Sequence, residues 1–236
     1  MNINWQYLWD QFVLQVFTLG GYKTVLEGLQ NTLIIALGGF VLGLIIGIIV
    51  AITQLLPSNK ISNIFKILAK CYVGLFRGTP MVVQLLLAYY VILPLLGIKI
   101  AALNVCILVF GLNSGAYVSE IMRSGIMSVD PGQMEAGRAV GLSFPVVMMK
   151  IVVPQAVKNI LPTLGNEFIV LIKETSVVSF VGAADLYVAF NYIGTNSYEF
   201  MVPYLVMALI YIVLVVFITL LIRVMERSLR KSDRSR

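Results

Sequence analysis

Glu167, Lys173 and Glu174 interrupt an otherwise apolar stretch from Lys158 to Asp185, and Glu120 sits just past another that runs from Ile100 to Ser119. An ionisable side chain inside lipid is costly and faces a cavity or a partner, so these residues are the first candidates for work on a solute or an ion. Counted at about 1.5 Å per residue from Lys158, Glu167 falls about 13 Å along a helix, near mid-membrane. Glu167 and Glu174 share a face at seven residues' spacing, and Asn113, Tyr117 and Glu120 share another on their own segment. Two such faces can line a route for a zwitterion. The Glu and Asn groups would receive an amino group, and Thr175, Ser176 or Lys173 would meet a carboxylate. The same residues can instead be interhelical ion pairs and hydrogen bonds, with Arg123 one turn from Glu120. As proton or sodium sites, Glu120, Glu167 and Glu174 would serve a gradient-driven secondary transporter or channel.

Catalysis has little support. Histidine is absent, which removes the usual acid-base group and the commonest metal ligand, and no metal site is expected. Gly20-Gly21-Tyr22-Lys23-Thr24 misplaces the Gly-Lys pair of a phosphate-binding loop. Any energy source must therefore lie outside this chain, and no catalytic residue or bound cofactor is expected within it. Cys71 and Cys106 fall at different expected depths, which argues against a disulfide.

The elements that carry these residues follow from composition. Hydrophobic residues make up 59% of the chain and charged ones 12%, about half the charged share of a soluble domain. Charge-free runs extend from Gly28 to Asn59, Gly78 to Ile98, Ile100 to Ser119 and Phe200 to Ile222, each long enough for the ~20 residues of a spanning helix. They lack strand-like alternation, so they are expected to be helices. Lys158 to Asp185 is the fifth. Fourteen of the seventeen Lys and Arg then fall on one side: between spans one and two, between spans three and four, and after span five. The positive-inside rule places the N-terminus outside and the C-terminus in the cytoplasm; four spans would split the Arg-rich loop from the basic tail. The basic balance is thus a topology signal and not a nucleic-acid footprint.

The N-terminal segment, residues 1–27, lacks a basic start and a cleavage site, so no secretory signal is expected. Trp5, Leu8, Trp9, Phe12 and Val16 recur at helical spacing, which suits a helix in the outer interface or one packed on the first span. Gly39, Gly43 and Gly47 give the first span a smooth face for close packing inside the subunit or in a dimer. Pro57-Ser58-Asn59 marks a turn. After it Lys60, Lys66 and Lys70 alternate with Ile61, Ile64, Phe65 and Leu68 as an amphipathic helix at the inner surface. Thr79 and Pro80 suit the start of the next helix.

Between spans three and four lies a polar connection, residues 130–154. Asp130-Pro131-Gly132 is a turn, Met134 to Val140 can form two helical turns, and Gly141 allows a conformation that other residues resist. Glu135 suits the helix dipole, and Arg138 can pair with it. Glu135-Ala136-Gly137, Gly141 and then Ile151-Val152-Val153-Pro154 read E-A-G-x-x-x-G-x9-I-x-V-P. This resembles the cytoplasmic coupling motif of the membrane subunits of ATP-binding-cassette importers, E-A-A-x-x-x-G-x9-I-x-L-P, with Gly137 and Val153 as departures. Arg77-Gly78-Thr79-Pro80 with Gln84, Asn113 to Tyr117 with Glu120, Lys173 to Ser176, and Gly28 to Leu33 look like signatures of the polar amino acid importers, from about Gly28 to Glu226.

The resemblance implies an all-α integral membrane protein of the type I importer permease fold, with five helices over residues 28–226 and a basic cytoplasmic tail at 227–236. It implies a multi-pass subunit of the bacterial cytoplasmic membrane for polar amino acids or relatives such as cystine; an opine, a compatible solute or a metal chelate are alternative cargoes on the same fold. Glu135, Ala136, Gly137, Arg138 and Gly141 would couple it to a cytoplasmic ATPase dimer, which would hold the ATP and Mg. A second permease copy, identical or paralogous, an extracytoplasmic amino-acid-binding protein and lipid are the other implied partners.

Overall fold

A backbone in lipid must satisfy its own polar groups, and every element among the described residues is helical. The computed structural model describes residues 4–56 and 59–234, with side chains to Arg227. Helix α1 is Trp5–Val13, extended by a π turn over Leu14–Thr18, and α2 is Gly21–Leu55. Next come α3, Lys60–Gly78, α4, Met81–Leu95, and α5, Ala102–Met127. A short helix α6, Pro131–Ala139, precedes α7, which is helical from Phe144 to Val181. The last two are α8, Leu186–Ser197, and α9, Met201–Arg234. Four helices (α2, α5, α7 and α9) are long and apolar enough to cross a membrane, and the bent pair α3 and α4 makes a fifth if it is one crossing.

Several expectations change. The fourth span starts at Phe144 and not near Lys158, so a depth for Glu167 counted from Lys158 has no footing. A π turn at Met148–Val152 bridges the two parts, because Pro154 lacks an N–H and its ring would crowd the Lys150 carbonyl in a regular helix. The same arrangement recurs in α4, where the π turn Ala88–Ile92 surrounds Tyr90, four residues before Pro94. The connection between the fourth and fifth expected spans contains the twelve-residue helix α8. Pro57 and Ser58 of the expected turn, and Arg236 of the tail, lie outside the described residues. Asn59 is described: it caps α3 reciprocally with Ser62.

The chain forms two compact units. The first comprises Met1–Gly39, Pro80–Phe110 and Val170–Phe217. Its core joins Phe12 and Val16 of α1 to Leu186, Phe190 and Ile193 of α8 and Val202 of α9. The N-terminal stripe is therefore divided: Leu8, Phe12 and Val16 pack inward, whereas Trp5 and Trp9 remain exposed. Helix α2 holds the entry to α8 through one face. Asn31 Nδ2 donates to the Ala184 carbonyl at 2.9 Å, and Thr32 Oγ1 accepts from Leu186 N at 3.2 Å. A Cβ at Gly28 would lie 2.5 Å from the Asp185 carbonyl oxygen. The segment Gly28 to Leu33 thus has a local physical role.

Asp185, at the end of the apolar stretch that begins at Lys158, is fully buried as the N-cap of α8. Its Oδ1 accepts from Val188 N at 2.9 Å, while its Oδ2 is buried with no partner. Burial pushes this carboxyl above the usual aspartate range. The folded chain then keeps a proton that the unfolded chain releases, across the window from the ordinary value up to the raised one. Stability falls as pH rises through that window and stays lower above it. Asp185→Asn keeps a capping oxygen without the charge, and it should unfold at a higher temperature than wild type at neutral pH and show a flatter profile. Thermal unfolding in detergent from about pH 4 to about pH 8 checks this. A lower midpoint for Asp185→Asn at the neutral end would refute it.

The second unit comprises Phe40–Thr79, Gly111–Ile169 and Ile218–Arg236. Here α2 and α5 meet glycine to glycine. A Cβ on Gly43 would lie 2.8 Å from Ser114 Cβ, and one on Gly47 2.4 Å from Val118 Cγ1. In return, Gly111 receives Leu42 and Gly115 receives Ile46. Gly43 and Gly47 thus serve packing inside the subunit, one of the two uses open from the sequence. Val118, Ala156, Ile160 and Leu164 form the adjoining core between α5 and α7. Helix α3 turns Ser62, Ala69 and Val73 inward and leaves Ile61, Ile64, Phe65 and Leu68 exposed, as its amphipathic pattern predicts.

Candidate functional site: a short capped helix and two polar clefts

Helix α6 is built by its ends. Asp130 accepts from Gly132 N at 2.8 Å, and Pro131 fills the first turn, where no amide donor is required. At the other end Gly141 has φ of +86°. Gly141 N donates to the Arg138 carbonyl at 3.0 Å and Leu142 N to the Gly137 carbonyl at 3.2 Å, the paired bonds of a Schellman closure. Nothing lies within 4 Å of where a Cβ on Gly141 would be, so conformation and not space requires glycine there.

Gly137 is the opposite case. It is the buried residue of α6, and a Cβ would lie 2.8 Å from Val147 Cγ2 and 3.3 Å from Ile151 Cδ1. The branched residues at 147 and 151 occupy the space of the motif's second alanine, which accounts for the departure. Glu135 and Ala136 are exposed. Glu135 is the fifth residue of α6, beyond the first turn, where the dipole acts most strongly. It forms no ion pair among the described residues, and Arg138 Nη1 donates instead to the Leu142 carbonyl at 2.8 Å. The dipole and pairing roles expected of Glu135 therefore lose their basis, and an outward-facing carboxylate is left. Exposed Val140 and Leu142 add apolar surface at the end of the helix.

The polar residues expected along a transport route divide between the two units. In the second unit, Asn113 is buried and its Nδ2 donates to the Phe76 carbonyl at 3.3 Å. Glu120 is gripped by Arg123, with Nε and Nη2 contacts of 2.8 to 3.3 Å, and Arg77 Nη1 approaches to 3.6 Å. The Arg77 guanidinium lies over the Tyr117 ring at 5.4 Å. Arg77, Tyr117 and Glu120 line a cleft of about 380 Å³. Glu167 is partly buried on α7.

In the first unit, Thr175 is fully buried and donates back to the Ile172 carbonyl at 2.8 Å, while Glu174 beside it is partly buried. Ser176 lines a cleft of about 440 Å³ with Lys173, Ser179, Tyr187 and Tyr211. The structure thus brings Tyr117 and Glu120 together around an arginine. It also encloses Thr175 where Ser176 is accessible. No cluster of His, Cys, Asp and Glu among the described residues could hold a metal ion.

Residues 39–231 match the family described as binding-protein-dependent transport system inner membrane components. The chain belongs to that family. This transport component is 38% identical over 209 residues to the arginine transport system permease protein ArtQ of Bacillus subtilis, a match covering 89% of this chain and 94% of the relative. It is also 38% identical over 205 residues to a Rickettsia bellii protein named as a glutamine transport system permease, GlnP, covering 87% and 92% of the two. Among solved structures, an amino acid ABC transporter crystallised with histidines superposes with a TM-score of 0.84 at 35% identity, over 97% of this chain and 100% of that one. The inward-facing methionine transporter MetNI shares the fold at a TM-score of 0.66 and 20% identity, over 88% and 95%.

The membrane component's own architecture supplies what sequence spacing missed. Arg77 lies far along the chain from Tyr117 and Glu120, and only the packing of α3 on α5 joins them. Asp185 gave no periodic signal because it works as a cap. A hint existed in Asp185 followed by Leu186, an acidic residue directly before an apolar run.

Proposed function

We propose that this chain is the permease subunit of an ATP-driven importer for polar amino acids. It would cross the bacterial cytoplasmic membrane five times, N-terminus outside, and pair with a second permease copy. A cytoplasmic ATPase dimer would hydrolyse ATP, and a binding protein would deliver the solute from outside. The observation that carries this reading is α6: a nine-residue helix, stopped by Gly141, that presents Glu135, Ala136, Val140 and Leu142 outward. Such a surface suits seating in a groove of a partner protein. Relatives named for arginine and glutamine transport favour an amino acid cargo. The buried pairing of Asn113 and the back-bonded Thr175 support structural roles for those two, which leaves Tyr117 and Glu120 in the second unit and Ser176 in the first as accessible polar groups; Glu167 and Glu174 are partly buried candidates.

The test is reconstitution with the ATPase and binding protein in proteoliposomes, with internal ATP and radiolabelled arginine, glutamine and cystine outside. Uptake of one of them that needs ATP and survives collapse of ion gradients is expected. Uptake that follows the gradient and ignores ATP would replace the proposal by a secondary transporter. For topology, a cysteine at the exposed Asn196 should react with an impermeant reagent from outside in whole cells. Reaction only after permeabilisation would invert the arrangement.

A further inference from the structure

Within the second unit, two arginines face one carboxylate, and the carboxylate is already taken. Arg123 covers Glu120 with three contacts of 2.8, 3.2 and 3.3 Å. Arg77 Nη1 stands 3.6 Å from Glu120 Oε2, beyond direct hydrogen bonding. Its Cζ lies over the Tyr117 ring, 5.4 Å from the centroid, and 44% of its side chain is exposed. The cleft that opens beside it also receives Ser124, Asn159 and Thr163, which bring hydroxyl and amide groups but no acid. One positive charge is thus left over at a concave site of about 380 Å³, within the size range of small-molecule pockets. A guanidinium with unspent donors is matched by a carboxylate, which it can bind through two parallel hydrogen bonds.

We propose that Arg77, over the Tyr117 ring and beside a Glu120 whose oxygens are hydrogen-bonded by Arg123, is a release-side subsite for the α-carboxylate of the transported amino acid. The assignment rests on the importer reading, in which the end of α5 that leads into α6 is cytoplasmic. Glu120 then acts as a positioning residue: it neutralises Arg123 and keeps that side chain from competing for the ligand. A solute reaching this cleft meets a charge that holds it near the exit, and solute accumulating in the cytoplasm would occupy the same place and slow its own import.

The experiment uses the full permease–ATPase complex in inside-out vesicles, with Ser124→Cys on a Cys71→Ala background. Cys71 is exposed and Cys106 is buried, so within this chain the new thiol is the one an aqueous reagent reaches, and labelling is read on the permease band resolved from the ATPase. Its labelling rate is followed with L-glutamine, its α-amide L-glutaminamide, and inorganic phosphate. L-Glutamine should slow labelling, with no effect of the amide or of phosphate. Arg77→Gln should weaken the protection about tenfold or more, the scale of a lost charged hydrogen-bond pair, and Arg77→Lys should weaken it less. Equal protection in wild type and Arg77→Gln, equal protection by the amide, or protection by phosphate would each overturn the subsite. So would the absence of any protection while ATP-driven glutamine uptake by the same complex is intact. Lack of ATP-driven uptake of any amino acid by wild type is a different result, which removes the importer reading itself.

Discussion

Gly141→Val is expected to separate ATP hydrolysis from transport while the membrane helices remain folded. Gly141 ends α6 at φ +86°, and the two closing bonds from Gly141 N and Leu142 N depend on that angle. A Cβ in this region costs roughly 1–2 kcal/mol, and a β-branched side chain more. That corresponds to about a five- to thirtyfold loss of the docked conformation. Since nothing lies within 4 Å of the added atom, a graded series can isolate the cause. Gly141→Asn should be mild, because Asn tolerates left-handed geometry; Gly141→Ala should be intermediate and Gly141→Val severe. The measurements are co-purification of the ATPase and stimulation of its activity by loaded binding protein. Equal losses in all three variants would point to lost contact and not to backbone geometry. Full activity of the valine variant would make this segment an ordinary loop and remove the main support for coupling through α6.

The features of this fold that the sequence revealed are those set by a single helix or turn. Gly141 was legible because a glycine after two helical turns is a local signal, and the structure gives it the expected left-handed angle. The amphipathic face of α3 was legible for the same reason. Features that depend on two distant segments were not. Arg77 carried no sign of Tyr117 or Glu120, and the sequence could not say that Thr175 would be enclosed while Ser176 stayed accessible. Hydropathy also misplaced the start of α7. The polar residues around Lys150 and Lys158 read as a loop, but helical hydrogen bonding continues through them by way of a π turn. The glycine stripe was an intermediate case: Gly43 and Gly47 announced close packing, but only the structure named Ser114, Gly115 and Val118 as what they approach.

That last contact gives the second large effect. Gly47→Leu should abolish assembly of the permease, and Gly47→Ala should already destabilise it measurably. An ideal Cβ at position 47 would lie 2.4 Å from Val118 Cγ1 and 2.6 Å from Val118 Cβ, so α2 and α5 must separate or Val118 must move. Val118 is fully buried and joins the core of Ala156, Ile160 and Leu164, which leaves it little room. Overpacking of this kind costs about 1–3 kcal/mol, and leucine adds further atoms along the same line. The contrasting substitution is Gly74→Ala in α3, where nothing lies within 4 Å of the new atom. There the gain in helix propensity, about 0.5–1 kcal/mol, should leave stability equal or higher. The same chemical change thus has opposite signs at two helical glycines, and only the neighbour decides. Thermal unfolding in detergent and yield of monodisperse protein measure both. If Val118→Gly restores the stability lost by Gly47→Ala, the steric cause is established; if Gly47→Ala is as stable as wild type, α2 and α5 do not pack through these residues.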